Sequence, residues 1–245
     1  MLDDQITFLI PTSPIPRHPS TDLIEACVGG IRNHFPTARV IIMVDGVRPP
    51  VEHRREQYAG YKEALAKLCN EGKLGRTTLC IFAEASQQSI MTANVLHHYV
   101  TTPLIGFVEH DAVFRPQPPI AWPAIFNLLN SGEANLVRFY GWQDIWHEHA
   151  YLMRGEFNYQ GSRFVKTVQY SQWPLISRTD YHRHILTKYF RPDQRAMIEV
   201  VMYGHVETAP WEENKIVIYL DQDLVFQHRD GRTDEVTGLR DPVEW

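Results

Sequence analysis

The sequence predicts an α/β protein built on a mixed, mostly parallel central sheet flanked by helices, and three observations predict it. Short, continuous apolar runs stand at Ile6 to Ile10, Val40 to Val44, Thr78 to Phe82 and Leu104 to Val108. Segments with helical apolar periodicity lie between them. The runs close on turn or polar residues: Pro11 after the first, Asp45-Gly46 after the second, Glu109-His110-Asp111 after the fourth. Runs apolar at nearly every position suit strands covered on both faces, and strands alternating with helices imply right-handed crossovers.

Taken in order, Pro11 ends the first strand and opens a loop that runs to Pro19. Ser20 or Thr21 can cap the helix that follows, in which Leu23, Ile24, Cys27, Val28 and Ile31 form one apolar face. The second strand precedes a helix from about Val51 to Cys69, and the third precedes one from about Ser89 to Tyr99. Beyond the fourth strand the order is irregular. Strands are expected at Asn135 to Phe139, Phe164 to Gln169 and Ile216 to Leu220. Helices are expected near Ile120 to Leu129, Thr179 to Lys188 and Gln194 to Tyr203. No repeat, low-complexity tract or linker divides the chain, so one domain over residues 1–245 is expected.

Composition sets outer limits on function. Hydrophobic residues make up 44% and charged residues 22%, a balance that argues against extended disorder. Met1-Leu2-Asp3-Asp4 lacks the basic start of a secretory signal, and no apolar run approaches the roughly 20 residues that span a bilayer. Cys27, Cys69 and Cys80 are odd in number and widely spaced, which fits a reducing compartment and a cytoplasmic protein. A net charge of −5 offers no general attraction to polyanions, so nucleic acid is not the favoured partner.

The chemistry concentrates where the fourth strand ends, in Glu109-His110-Asp111. In an extended chain, alternation turns Glu109 and Asp111 to the same side. Two hard oxygen ligands there suit a divalent cation, which would in turn bridge the phosphates of a nucleotide-sugar. The plain alternative is a pair of surface carboxylates at a strand end. In parallel sheets ligands bind beyond the carboxyl ends of the strands, where Thr12, Asp45 and this triplet all fall.

These segments together resemble a family 2-type glycosyltransferase of the GT-A fold. Ile6 to Thr12 is similar to that family's first strand and nucleotide loop, and Val40 to Asp45 to its second strand with a base-recognising Asp. Gln88-Ser89-Ile90-Met91-Thr92-Ala93-Asn94, followed by Glu109-His110-Asp111, resembles its Ala-x-Asn-like helix leading into a D-x-D motif. Pro174 to Arg178 resembles the strand and Arg before the acceptor-side helix. Ile198-Glu199 stands at the family's Glu-Asp doublet, and Lys215 to His228 resembles its closing strand and His. The departures are a Glu in place of the first Asp of the metal motif, Val200 in place of the second acid of the doublet, and no Gly-Gly-Phe-Asp stretch.

The resemblance implies a metal-dependent transfer of a sugar from a nucleotide diphosphate donor, UDP-sugar favoured, to a hydroxyl acceptor, by inverting displacement. Residues up to about 115 would form the nucleotide-binding half and those from about 116 the acceptor-binding half. Asp111 would ligate the metal directly, Glu109 directly or through water, and His228 would be the third ligand. An imidazole among oxygens suits Mn2+ somewhat better than Mg2+. Pro11, Thr12, Ser13, Asp45, Asn94, Glu109 and His110 would line the nucleotide site, with Arg17 and His18 mostly solvent-exposed on the same loop. Asp45 is equally a turn-forming Asp before Gly, and His228 equally a loop histidine.

Glu199 would be the general base, one turn into a helix starting near Asp193; an ion pair with Arg195 competes with that role, and Glu212 and Glu213 are held in reserve. Trp142, Trp146 and Trp173 lie in polar surroundings where an aromatic face stacks on a sugar or base, although packing is the commoner role. Trp142, Trp173 and Arg178 are assigned to the acceptor side. His147-Glu148-His149 lacks zinc-helix spacing and reads as a loop. The acceptor stays open among a glycan, a small molecule, a protein and a flipped, hydroxylated nucleobase. Two rivals remain. A nucleotidyltransferase would use a Gly-rich loop that Pro11 to Arg17 lacks, and a binding module of the same fold would turn nothing over.

Overall fold

A computed structural model describes residues 1–141, 145–221 and 224–231. Its nine-stranded sheet has the order β3-β2-β1-β4-β9-β6-β10-β8-β7. These are β1 (Ile6–Thr12), β2 (Arg39–Val44), β3 (Thr77–Ile81), β4 (Leu104–Phe107), β6 (Leu136–Phe139), β7 (Met153–Tyr159), β8 (Ser162–Thr167), β9 (Leu175–Arg178) and β10 (Ile216–Tyr219). The strands β3, β2, β1 and β4 pair in parallel, whereas β9 runs antiparallel to both β4 and β6. A separate two-stranded ribbon joins β5 (Ala112–Phe114) to β11 (Phe226–His228).

The helices are α1 (Asp22–His34), α2 (Arg55–Asn70), α3 (Gln87–His98), α4 (Trp122–Asn130), α5 (Thr179–Tyr189), α6 (Ile198–Thr208) and the short α7 (Trp211–Asn214). Every residue of β1 is buried, as a strand covered on both faces must be. Alternate side chains go to opposite layers. Ile6, Phe8 and Ile10, with Val40, Ile42 and Val44 of β2, pack beneath α1, α2 and α4. Leu9, Ile41 and Met43, with Ile105 and Phe107 of β4, pack against α3, α5 and α6. No described helix is long and apolar enough to cross a membrane.

Several expectations move. The helix expected from Gln194 begins at Ile198, which leaves Glu199 in its first turn. Neither Ser20 nor Thr21 caps α1 in the usual way, since the Thr21 hydroxyl donates to Glu25 and the Ser20 hydroxyl accepts from the Asp22 N–H. The helix expected from Val51 is a 3-10 stretch, Pro49–Arg54, that hands over to α2. Three strands went unforeseen. β7 is an edge strand with a mostly exposed face, so its composition carries little apolar signal, and β5 and β11 are too short for a periodicity to show.

Close approach at β1 and β4 fixes Gly106. A Cβ there would overlap the Phe8 ring, which is fully buried and has nowhere to retreat. Overpacking of this kind costs about 1–3 kcal/mol. Gly106→Ala should lower the unfolding free energy by that amount, read as a lower denaturant midpoint at an unchanged m-value; an unaltered midpoint would show that the two strands can separate freely.

Candidate functional site

The carboxyl ends of β1, β2 and β4 open into a cleft of about 870 Å³, within the volume range of small-molecule sites. Pro11, Thr12, Ser13, Asp45, Glu109, His110, Asp111, Trp173, Glu199 and His228 all line it. The ten come from the ends of strands, the first turn of α6 and the ribbon, and the fold brings them to one place.

The β1–α1 loop is seated on aromatic rings. His18 is buried, not exposed as expected, and stacks on Tyr61 and Tyr58 with centroids 4.0 and 5.1 Å away. Its Nδ1 accepts the Ile15 N–H at 3.2 Å, and burial, with the neighbouring charges of His110 and Arg54, pushes its pKa down to about 3. Arg17 is half-buried and pairs with Asp22 at 3.3 Å. The Tyr58 hydroxyl donates to the Thr12 carbonyl at 3.3 Å, which holds the strand end against α2.

Asp45 is buried, and its carboxylate ties the ends of two loops together. Oδ1 accepts from the Gly46 and Ser86 N–H groups at 2.8 and 2.7 Å, and Oδ2 accepts from Gln87 at 3.2 Å. Burial raises its pKa, while these three donors and Arg48 oppose the rise. The turn-forming role is therefore real, and it coexists with a place on the cleft wall. Asn94 does not share that place. It is exposed on α3 and outside the cleft lining, because the inward face of that helix is Met91, Thr92, Val95 and Leu96.

The acidic triplet departs from the extended geometry expected for it. The Ala112 N–H donates to the Glu109 carbonyl at 2.9 Å, so the chain turns here, leaving Glu109 half-buried and Asp111 buried. The ribbon supplies what alternation does not. Ala112 pairs with His228, and the Arg229 N–H donates to the Asp111 carbonyl at 2.7 Å. His228 Nε2 thereby lies 3.3 Å from Asp111 Oδ2. Burial works to raise the Asp111 pKa, but the His228 hydrogen bond and the charges of His110 and His228 outweigh it, and the net shift is downward. The same hydrogen bond raises the His228 pKa against the opposing effect of burial.

Two buried atoms at this spot have no hydrogen-bond partner, Asp111 Oδ1 and His110 Nε2. Unsatisfied buried polar atoms are uncommon, and here they border a cleft. An oxygen–nitrogen pair beside an orphan carboxylate oxygen suits a divalent cation. Among the described residues, however, no three His, Cys, Asp or Glu side chains gather into a ready ligand set, so Glu109 does not close the trio expected with Asp111 and His228.

Also in the cleft lining, the Glu199 Oε2 accepts the Gln172 N–H at 3.2 Å. Burial raises the Glu199 pKa, opposed by that bond, by the Arg138 charge and by Ser171. Arg195 turns away to Glu84 at 2.9 Å, so the competing ion pair with Glu199 does not form. Gln88 accepts from the Gln172 side chain and from the Ile198 N–H, joining α3, the start of β9 and α6. Glu213 pairs with Lys188 at 2.6 Å outside the cleft. Trp173 packs edge-on against Phe226 at 5.3 Å and lies over Gly141, where a Cβ would overlap the indole.

Arg178 does not face the cleft. Leu104 pairs with Arg178 because β9 runs antiparallel to β4, so the far end of β9 emerges at the opposite edge of the sheet, and Arg178 there binds Asp180. Trp142 lies outside the described residues. His147-Glu148-His149 begins a 3-10 turn, His147–Leu152. Sequence reading overlooked Arg48, Arg54 and Arg115, which line the cleft as cations, Arg48 acting on Asp45 and Arg54 on His18. Arg48, two residues after Asp45-Gly46, was the available signal.

No protein-family profile matches the chain, and no curated protein matches it in sequence. Solved structures do. A mannosyltransferase from Pyrobaculum calidifontis, in complex with GDP-Man and Mn2+, superposes with a TM-score of 0.51 at 12% identity, over 74% of this chain and 46% of that one. TarS 1-349 of S. aureus with UDP-GlcNAc gives 0.54 at 10% identity, over 89% and 57%. A UDP-glucose pyrophosphorylase complexed with UDP-glucose gives 0.52 at 11% identity, over 89% and 90%. The chain thus spans about half the length of the mannosyltransferase and of TarS 1-349. At such identities the likeness is one of fold.

The Asp111–His228 pair makes the site's ionisation measurable. A raised His228 pKa stabilises the fold fully below the unfolded value of 6.5 and loses that contribution as pH rises through the folded value. The lowered Asp111 pKa contributes above 3.8 and is lost as pH falls through its folded value. The pair is therefore strongest between about pH 4 and 6.5. In metal-free protein the His228 ring should titrate by NMR above 6.5, and its midpoint should fall in Asp111→Asn; a midpoint indifferent to that change would show that the two do not interact.

Proposed function

We propose, on the basis of a GT-A-like fold that occurs in nucleotide-sugar enzymes, that the chain is a metal-dependent glycosyltransferase moving a sugar from a nucleoside diphosphate to a hydroxyl acceptor by inverting displacement. The observation that carries this reading is the placement of two carboxylates of different character in one cleft. Asp111, paired with His228, and Glu199 line the same cleft.

The base of the donor fits against Pro11, Thr12 and Asp45, with UDP favoured because a uracil ring N–H can donate to the remaining lone pair of the Asp45 carboxylate. Arg48, Arg54 and Arg115 offset the diphosphate charge from the cleft wall. Asp111 and His228 would hold a Mn2+ or Mg2+ ion, with Glu109 reaching it only through water. Such an ion neutralises charge developing on the leaving diphosphate. The acceptor hydroxyl attacks the anomeric carbon as the bond from that carbon to the diphosphate oxygen breaks. Glu199 takes the hydroxyl proton, for which its raised pKa makes it a stronger base than an exposed carboxylate. Trp173, at the entrance of β9, supplies an aromatic face on the acceptor side.

A nucleotidyltransferase is the second reading, favoured by the pyrophosphorylase likeness over 90% of that chain. The absence of Gly from Pro11 to Arg17 weighs against it, because a triphosphate needs close backbone approach.

A thermal-shift screen of UDP-, GDP-, dTDP- and CDP-sugars with and without Mn2+ tests donor binding, since a ligand of the native state raises its melting temperature. UDP-sugars with Mn2+ should give the largest shift, and Asp111→Asn should abolish its metal-dependent part. Release of UDP identifies an enzyme; pyrophosphate formation from UTP and a sugar 1-phosphate would select the second reading, and binding without turnover a binding module.

Glu199→Gln should cut turnover by about 10²–10⁴-fold while leaving donor binding intact. Because the base acts ionised, the wild-type rate should fall as pH drops through the raised Glu199 pKa. Equal rates in both proteins would remove Glu199 from the chemistry.

A further inference from the structure

Among the described residues six large apolar side chains are exposed, and three of them stand together on one side of the molecule: Trp146 at 40%, Tyr151 at 61% and Val200 at 54%. They are linked to the cleft by a series of aromatic contacts. Trp173 on the cleft wall lies 6.1 Å from the Tyr140 ring. The Tyr140 hydroxyl accepts the Trp146 N–H at 3.4 Å and meets His149 Nδ1 at 3.4 Å. Trp146 stacks on His149 at 5.8 Å, Tyr151 follows in the same 3-10 turn, and its hydroxyl meets that of Tyr203 at 3.5 Å. Tyr203 is three residues from Val200 on α6, hence on the same face, and α6 carries Glu199 in its first turn.

The charges along this surface select what can lie on it. Neither the turn His147–Leu152 nor α6 contains a lysine or arginine, whereas together they carry Glu148, Glu199 and Glu207. The nearby Arg154 is committed to the Tyr151 and Met153 carbonyls at 2.7 and 3.0 Å. A polyanion finds no counter-charge here, so nucleic acid and acidic lipid fit poorly. An uncharged chain of sugar rings fits well, because its C–H faces pack on aromatic rings and its hydroxyls can bond to the tyrosines and carboxylates.

We propose that the surface formed by Trp146, Tyr151, Val200 and Tyr203 continues the cleft outward from Trp173 and binds the body of a neutral oligosaccharide acceptor. The proposal rests on the glycosyltransferase reading above and narrows its acceptor.

Saturation-transfer NMR and titration calorimetry, done without donor, with maltoheptaose, cellohexaose, mannohexaose and a short oligo-thymidylate test it. At least one of the sugars should bind, with strongest saturation on ring C–H protons. Trp146→Ala and Tyr151→Ala should each weaken that binding about tenfold, at an unchanged melting temperature since both side chains are exposed. Failure of all three sugars to bind, equal binding by both variants, or binding of oligo-thymidylate alone overturns the proposal. Absence of donor turnover in the wild type, by contrast, counts against the glycosyltransferase reading itself.

Discussion

Antiparallel pairing of β5 with β11 brings two distant parts of the chain, the turn after β4 and the segment near residue 228, into register at Ala112 and His228. That pairing places an imidazole on a carboxylate that would otherwise be a buried, half-solvated acid at the end of a strand. The ribbon also seals one side of the cleft, since Phe226 supports Trp173 and Phe114 packs on Trp122 and Phe139 in the core. The Asp111 end and the Trp173 end of the cleft therefore lean on the same two short strands. Neither strand would survive alone; each has three residues and depends on side chains that reach into the main core.

The opposite wall is organised by amides. Gln88, Gln172 and the start of α6 meet through side-chain and backbone hydrogen bonds, and Glu199 enters the cleft from that junction. Its partial burial is what separates its character from that of Asp111. One acid is held ionised by a neighbouring imidazole, the other is pushed towards protonation by loss of water. Environment assigns different chemistry to two residues of the same class.

The first half of the molecule was legible because β1, β2 and β4 are covered on both faces and so announce themselves as apolar runs, with Asp45 and Asp111 readable from where those runs stop. The likeness to solved structures bears out the α/β architecture and the GT-A-like fold. Legibility fails where long-range pairing decides. The turn that buries Asp111 depends on a partner over a hundred residues away, and Arg178 was misplaced because a short strand does not reveal its direction. Asn94 sits in a motif-like segment, yet helix phase turns it outward. His18 was read as a solvated loop residue because the two tyrosines that enclose it come from a separate helix.

The reversed direction of β9 separates two properties that a uniformly parallel sheet would tie together. Residues 171–174 enter the cleft just ahead of β9, in the link from β8, and β9 pairs antiparallel with both β4 and β6. Thr12, Asp45 and Asp111 come from other stretches of the chain, and Trp173 meets the ribbon that carries His228 through Phe226. Strand polarity thus assigns the walls of one cleft to separate stretches of sequence, a form of modularity.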